Sequence, residues 1–448
     1  MEPFQKLNPS AFLNFLRAKY EMYTGEVNVT ALPYYLCIDP SDKCQLRCPT
    51  CPTGIENESR RNREPELTLF RRERRMLSSE LADAVLDELG EYLFLVMFYN
   101  YGEPLLNPNV PAFIRKAKQY GIETELHTNL SLPLSDQRID DLLASGLDRL
   151  LASIDGFSQQ TYQIHRVGGD LALVKSNLER IVKARNRLRL NTHISWGFLV
   201  FSFNEHEIPA TQRYCHELGI EFHRRDAFVD NPEWLPSYRK RETPWIVPQE
   251  ALLKKDSSKG WSPLPAVEKS RCASACGWHY GYSVVTGGGR VAPCCAVAKD
   301  EYDFGELAPG SASFREVWNN PAYQKSRAAF AAKDAQHLGH VETICTRCPY
   351  PATLHHLYSV HDAKVIGQFH RQFAGSDPVL EEAFDLFTWA RYGSSVSAMC
   401  RNGISLSADC IFVGHESQPD IAEFVSFFED RLLPVAKAAN LAKERFTP

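Results

Sequence analysis

Hydrophobic and polar positions along this chain switch repeatedly between two periods. Residues 34–39 read as an apolar strand, and 92–99 is a continuous apolar run of the kind a strand buried on both faces carries. Between them Leu81, Val85, Leu86 and Leu89 recur at helical spacing, which predicts a helix over 79–89. The alternation then continues. Strands are predicted over 122–127, 148–154, 191–200 and 220–224, and helices over 110–119, 135–144, 171–182 and 205–218. Gly146 supplies a stop signal to the helix over 135–144. Six strands alternating with helices predict a parallel sheet with right-handed crossovers, either open or curling into a barrel. In both arrangements ligands sit beyond the C-terminal ends of the strands.

The flanking segments read differently. Residues 1–32 read as a short helix and connector, and the repeating unit occupies 33–225. Residues 226–269 carry six prolines (Pro232, Pro236, Pro244, Pro248, Pro263 and Pro265) and read as an irregular linker crossing the barrel. Residues 270–350 hold many of the cysteines and the turn Gly287-Gly288-Gly289. Residues 351–448 read as helical, with Ile421, Phe424, Val425, Phe428 and Leu432 on one helix face.

Composition narrows the function. The 448 residues are 44% hydrophobic and 23% charged, an ordinary globular mixture. A net charge of −5 gives no electrostatic footprint for nucleic acid and no polybasic membrane binder. The longest apolar run falls well short of the roughly 20 residues a membrane helix needs. The first ten residues lack the apolar stretch of a signal peptide, so the expected location is the cytoplasm. There are thirteen cysteines, an odd count that argues against a disulfide framework and for metal or catalysis.

Cys44, Cys48 and Cys51 form C-x-x-x-C-x-x-C directly after the first strand. Three thiolates are one short of a closed tetrahedral zinc site and suit a [4Fe–4S] cluster with one iron left open. A zinc loop with a distant fourth ligand is the alternative. Tyr101-Gly102-Glu103-Pro104 follows the second strand, Thr128-Asn129 the third, and Ser153-Ile154-Asp155-Gly156 the fourth. With these in order, residues 33–225 resemble the radical S-adenosylmethionine (radical SAM) family, whose fold is a partial (β/α)6 barrel of TIM type. The resemblance implies that Cys44, Cys48 and Cys51 ligate the cluster and that its open iron chelates S-adenosylmethionine. It implies that Gly102 and Glu103 receive the cofactor's ammonium, that Ser153 and Asp155 bind its ribose, and that Asn129 lies in the same cofactor-binding set. Arg166 is placed to pair its carboxylate. Two positions depart from the family pattern: Thr50 stands where an aromatic residue usually precedes the third cysteine, and Tyr101 where a glycine usually stands.

In the second set, Cys276 is followed by Gly289-x-x-x-x-Cys294 and then Cys345-x-x-Cys348. This resembles the SPASM/twitch extension of some radical SAM enzymes, a small cysteine-rich α+β domain. The shorter, twitch form is expected, with one auxiliary [4Fe–4S] cluster on Cys276, Cys294, Cys345 and Cys348. A structural zinc on the same four thiols is the alternative, and Cys272 or Cys295 could replace a neighbour. The whole chain is thus expected to be α/β: a partial barrel, a twitch/SPASM-like domain and a helical C-terminal region.

The resemblance implies an oxidoreductase that takes one electron from a flavodoxin- or ferredoxin-like reductant. It then makes a 5′-deoxyadenosyl radical and abstracts a hydrogen atom. The expected substrate is a small molecule such as a sugar or aminocyclitol, with net oxidation. A ribosomal peptide is the competing substrate, disfavoured because about 32 residues precede the first strand, too few for a peptide-binding module. A non-catalytic zinc protein is the reading from another class. Arg60, Arg61, Arg63, Arg71, Arg72, Arg74 and Arg75, interleaved with glutamates, form either a solvated loop or a set that pairs an anionic substrate.

Overall fold

The computed structural model describes residues 9–62, 72–73, 75–227, 231–237, 276–308, 312–331, 343–347 and 430. The helical reading of 351–448 and most of the linker fall outside the described residues. In chain order the elements are α1 (Pro9–Thr24), β1 (Tyr35–Ile38), α2 (Pro52–Asn62), α3 (Ser79–Leu89), β2 (Leu95–Phe98), α4 (Val110–Gln119) and β3 (Glu123–Thr128). There follow α5 (Asp136–Ala144), β4 (Arg149–Ser153), α6 (Gln159–His165), α7 (Leu171–Arg187), β5 (His193–Val200), α8 (Ile208–Leu218) and β6 (Glu221–Asp226). The C-terminal part supplies α9 (Trp278–Gly281), β7 (Tyr282–Val285), β8 (Arg290–Ala292), β9 (Gly305–Glu306), α10 (Phe314–Trp318) and α11 (Pro321–Ala331).

The sheet order is β6-β5-β4-β3-β2-β1-β7-β8-β9, parallel from β6 through β7. Alternate strand residues face the helices. Leu36, Ile38, Val96, Phe98, Leu126, Leu150, Trp196 and Phe198 pack with Val85, Phe113, Leu143 and Ile181 into one core. Each fully buried side chain of this size contributes roughly 1.5–3 kcal/mol. Ser78, Ser135, Ser158 and Asp170 cap α3, α5, α6 and α7 by accepting backbone N–H bonds. Gly146, at φ +90°, ends the turn after α5 in a conformation that favours glycine.

The other face of the strands looks inward. Arg225 of β6 lies in electrostatic contact with Tyr99, just after β2, and with His127 of β3. In a flat sheet β6 and β2 would stand roughly 19 Å apart, four spacings of about 4.8 Å. The sheet therefore curls, and the six strands form the partial (β/α)6 barrel.

Three features depart from the sequence pattern. The polar stretch after Cys51 holds α2, whose buried residues are Thr53, Gly54, Glu56 and Ser59, so it lacks the apolar stripe that would mark a helix. The short α6 is unmarked in the sequence for a similar reason: with Thr161, Tyr162 and His165 as its buried residues it shows no aliphatic period. The C-terminal part is also continuous with the barrel sheet, because β7 pairs in parallel with β1 in the register Tyr35↔Tyr282 to Ile38↔Val285.

Candidate active site

The cysteine loop leaves β1 at the C-terminal mouth and is fastened from several sides. Asn57 on α2 donates to the carbonyls of Cys44 (2.9 Å) and Leu46 (2.7 Å). The backbone N–H of Arg47 donates to Val167 O at 2.9 Å. Cys51 N–H donates to Cys48 O at 3.1 Å, and α2 begins at the next residue. Asp39, at the end of β1, accepts the N–H groups of Tyr101 (2.9 Å) and Gly102 (3.2 Å). It thereby binds the turn after β2 to the loop. A Cβ on Gly102 would sit 1.4 Å from the Ser41 carbonyl, so no larger residue fits.

The thiols of Cys44, Cys48 and Cys51 are pushed up chiefly by burial, with the charge of Glu103 adding to it at Cys44, that of Cys51 at Cys48 and that of Asp39 at Cys51. Arg166 opposes this at Cys48, to which it hydrogen-bonds. Among the described residues no three His, Cys, Asp or Glu side chains converge as ligands of a single metal ion. All three donors of this loop are soft sulfurs, the chemistry that suits iron–sulfur.

Each remaining residue of the set has a definite place. Glu103 is 2% exposed. Its carboxylate accepts from Leu105 N (3.0 Å), Thr128 Oγ1 (2.6 Å) and Asn129 N (2.8 Å). Burial pushes its pKa up, and these donors oppose the shift. Three of about four lone-pair positions are filled, leaving room for one more donor. Asn129 reaches the cysteine loop directly: its Nδ2 lies 3.6 Å from Cys44 Sγ, and its Oδ1 accepts from Gln45 at 2.8 Å. Ser153 ends β4, half-buried.

Asp155 is fully buried and accepts from His165 Nδ1 (2.7 Å), Arg166 Nε (2.6 Å) and Leu199 N (2.9 Å). Burial alone would raise its pKa, but Arg166 and His165 hold it well below the usual carboxylate range. Arg166 is thus already engaged by Asp155 and Cys48.

In the second set, Cys276 precedes α9, Cys294 follows β8, and Cys345 lies in a one-turn 3-10 helix. Tyr323 on α11 senses the charges of both Cys345 and Cys294. His279 Nε2 lies 3.2 Å from Cys345 Sγ. Burial depresses the pKa of His279 to about 3, so its ring is neutral. Arg327, fully buried, donates to the carbonyls of His279 (2.9 Å) and Trp318 (2.8 Å). Cys348 and Cys272 lie outside the described residues, and Cys295 is exposed.

Family models match the chain in two places: the radical SAM superfamily over residues 38–211, and the SPASM iron–sulfur cluster-binding domain over 276–349. The chain is a radical SAM enzyme with a SPASM-type C-terminal domain. Membership in the family brings S-adenosylmethionine, the [4Fe–4S] cluster that binds it, and an auxiliary iron–sulfur site.

A probable GTP 3′,8-cyclase of Methanococcus maripaludis is 28% identical over 188 residues, 42% of this chain and 55% of that protein. The chain thus spans about half the length of such relatives. The PqqA peptide cyclase of Granulibacter bethesdensis is 21% identical over 313 residues, 66% of this chain and 76% of that protein. Among solved structures, Streptococcus suis SuiB bound to its precursor peptide SuiA is 13% identical, with 76% of this chain and 75% of that one covered and a TM-score of 0.47. No described helix is long and apolar enough to cross a membrane.

The structure brings Cys44, Cys48, Cys51, Glu103, Asn129, Asp155 and Arg166 of this radical SAM enzyme together at one end of the barrel. The arginine-rich loop fares differently. Arg72 is 7% exposed and donates to Asp303 (2.7 and 3.0 Å) and Asp300 (3.0 Å), while Arg60 pairs with Glu56. These two serve the fold. Arg63, Arg71 and Arg74 lie outside the described residues. Residues absent from the sequence reading are Asp39, Asn57, His165 and His279. Asp39 carried a signal, an acidic residue at a strand end just before the cysteines. His279 carried none.

Proposed function

We propose that Cys44, Cys48 and Cys51 hold the cluster that binds S-adenosylmethionine, with Glu103 completing an ammonium site. We propose also that the chain oxidises a polar small molecule in the barrel lumen. The observation that carries the substrate reading is the lumen's lining. Tyr99 and His127 stack with ring centroids 3.6 Å apart, His127 Nε2 meets Glu125 at 2.5 Å, and Arg149 meets Glu125 at 3.2 Å. The exposed Arg225 faces Tyr99, His127, His223 and Cys295. Such walls offer hydrogen bonds to hydroxyl or amino groups and one cation to an anionic group.

When bound, the first cluster with S-adenosylmethionine supplies hydrogen-atom abstraction, and an auxiliary cluster on Cys276, Cys294, Cys345 and Cys348 supplies a one-electron acceptor. The chain's own residues hold the substrate and manage its proton. Burial depresses the His127 pKa, which keeps the ring neutral. With Nε2–H given to Glu125, Nδ1 remains a base for a hydroxyl proton. The net product is two hydrogens poorer than the substrate. Anaerobic turnover followed by mass spectrometry tests this: one S-adenosylmethionine consumed per product, and a mass lower by two hydrogens. An unchanged product mass would overturn the oxidation.

A ribosomal peptide is the second reading. It is favoured by the alignment with the PqqA peptide cyclase, which is longer than that with the GTP cyclase. A short precursor peptide that raises 5′-deoxyadenosine formation above background would select it.

A further inference from the structure

The family pattern leaves unexplained why a threonine precedes Cys51 and why a buried histidine meets it. His165 is 3% exposed, packed against Phe201 with centroids 4.8 Å apart. Its Nδ1 binds Asp155 and its Nε2 lies 2.7 Å from Thr50 Oγ1. With Nδ1–H donated to the carboxylate, Nε2 carries the lone pair and the Thr50 hydroxyl donates to it. The same carboxylate oxygen, Oδ2, also receives Arg166, which hydrogen-bonds Cys48. One buried carboxylate therefore grips the cysteine loop at two points, residues 48 and 50.

We propose that Asp155 is the positioning and charge-balancing residue of this loop, acting on Cys48 through Arg166 and on the Cys51 segment through His165 and Thr50. The proposal rests on the reading that these cysteines hold the cluster, and it gives Asp155 a task separate from ribose binding. The two arms differ physically. The Arg166 arm carries charge: a guanidinium beside Cys48 favours any state with more negative charge on the thiolate and its iron. Asp155 cancels part of that field, and the two groups act on Cys48 with opposite sign. The His165 arm is neutral and mechanical. It holds the turn between the second and third cysteines from the end of β4, where Leu199 N (2.9 Å) fixes the carboxylate in turn.

Potentiometry of the anaerobically reconstituted full chain, without S-adenosylmethionine, tests the charge arm. Asp155→Asn should move the cluster to a more positive midpoint potential, and Asp155→Glu should restore it toward wild type. A ribose contact alone would leave this potential unmoved. His165→Gln and Thr50→Val keep the charge, so their potential should stay near wild type, while a chelator should strip their iron several-fold faster. Thr50→Ser, which keeps the hydroxyl, should lose iron at the wild-type rate. An unshifted potential in Asp155→Asn would overturn the charge role, and equal iron loss in Thr50→Val and Thr50→Ser would overturn the mechanical one. If Asp155→Asn does not assemble, the neutral variants still decide the second arm. A wild-type chain that builds no cluster at the loop would instead refute the reading beneath.

Discussion

The two cysteine regions are built on opposite plans. In the first, three thiols lie within eight residues of one loop, fastened by the ends of β1, β3 and β4 and by the start of α2. In the second, Cys276, Cys294 and Cys345 come from segments far apart in sequence, and Cys294 and Cys345 both act on Tyr323, on the helix that also carries the buried Arg327. A site carried by one loop needs polar fastening, because a loop has little apolar area of its own. A site gathered from distant segments needs a core. The difference teaches where each should fail: the first by losing single hydrogen bonds, the second by losing the fold beneath it.

The largest effect separates the regions outright. Replacing Cys44, Cys48 and Cys51 by alanine should halve the iron from about eight per chain, two four-iron clusters, and abolish 5′-deoxyadenosine formation. Replacing Cys276 and Cys345 should remove a similar share of iron yet leave background cleavage of S-adenosylmethionine intact. Iron analysis and chromatography of the nucleoside check both. If the first variant still cleaves the cofactor, the assignment of the loop is wrong.

The next test breaks the link between the regions. Arg72, on the segment after the first loop, is buried against Asp300 and Asp303 of the second region. Arg72→Met leaves Asp303, whose side chain is fully buried, without its main partner, though Arg290 stays 3.3 Å away. Removing one partner of a buried pair costs about 3–5 kcal/mol. Chemical denaturation should show that loss, and adding Asp303→Asn should recover part of it. Additive losses in the double variant would mean the two side chains act independently.

How much of this was legible follows from the same contrast. The βα alternation was readable because each buried face repeats at a fixed period. The first cysteine set was readable because its three thiols lie on one loop. Arg72 looked like one member of a mixed-charge stretch, since its acidic partners lie 228 and 231 positions away. The pairing of β7 with β1 was hidden for the same reason: nothing local in Tyr282–Val285 names Tyr35–Ile38 as its neighbour. Asp155 and Arg166 were found, but not that they bind each other, because spacing reports a place in the fold and not the direction of a side chain.

A smaller effect probes the fastening of the first site. Glu103→Gln keeps size and shape but turns an amide NH2 toward one of three donors. The displaced contact should weaken S-adenosylmethionine binding by roughly 1.5–3 kcal/mol, the worth of a hydrogen bond to a charged group. Cluster content should not change. Equilibrium binding to reconstituted protein measures it, and wild-type affinity would mean the carboxylate serves the β2–β3 turns alone.

The smallest effect comes from a carboxylate outside both regions, and it shows what the fastening accomplishes. Glu123, where β3 begins, is 4% exposed, like Glu103, but its ion pair with Arg149 is long, 3.7 Å. Burial pushes its pKa up to about 8, with Arg149 opposing. The folded state therefore holds a proton that the unfolded chain, titrating near 4.3, has released. Stability from this group is complete below the unfolded value and is lost as pH rises toward 8, by up to about 1.4 kcal/mol per unit. Asp39 and Asp42, raised by burial to about 6 and about 8, slope the same way, so wild type alone cannot isolate Glu123. The difference between wild type and Glu123→Gln does. Urea denaturation at about pH 5.5 and about pH 7.5 should show the glutamine variant losing less stability across that interval. Parallel losses in the two proteins would show that Glu123 is ionised in the fold, held by Arg149 despite its burial.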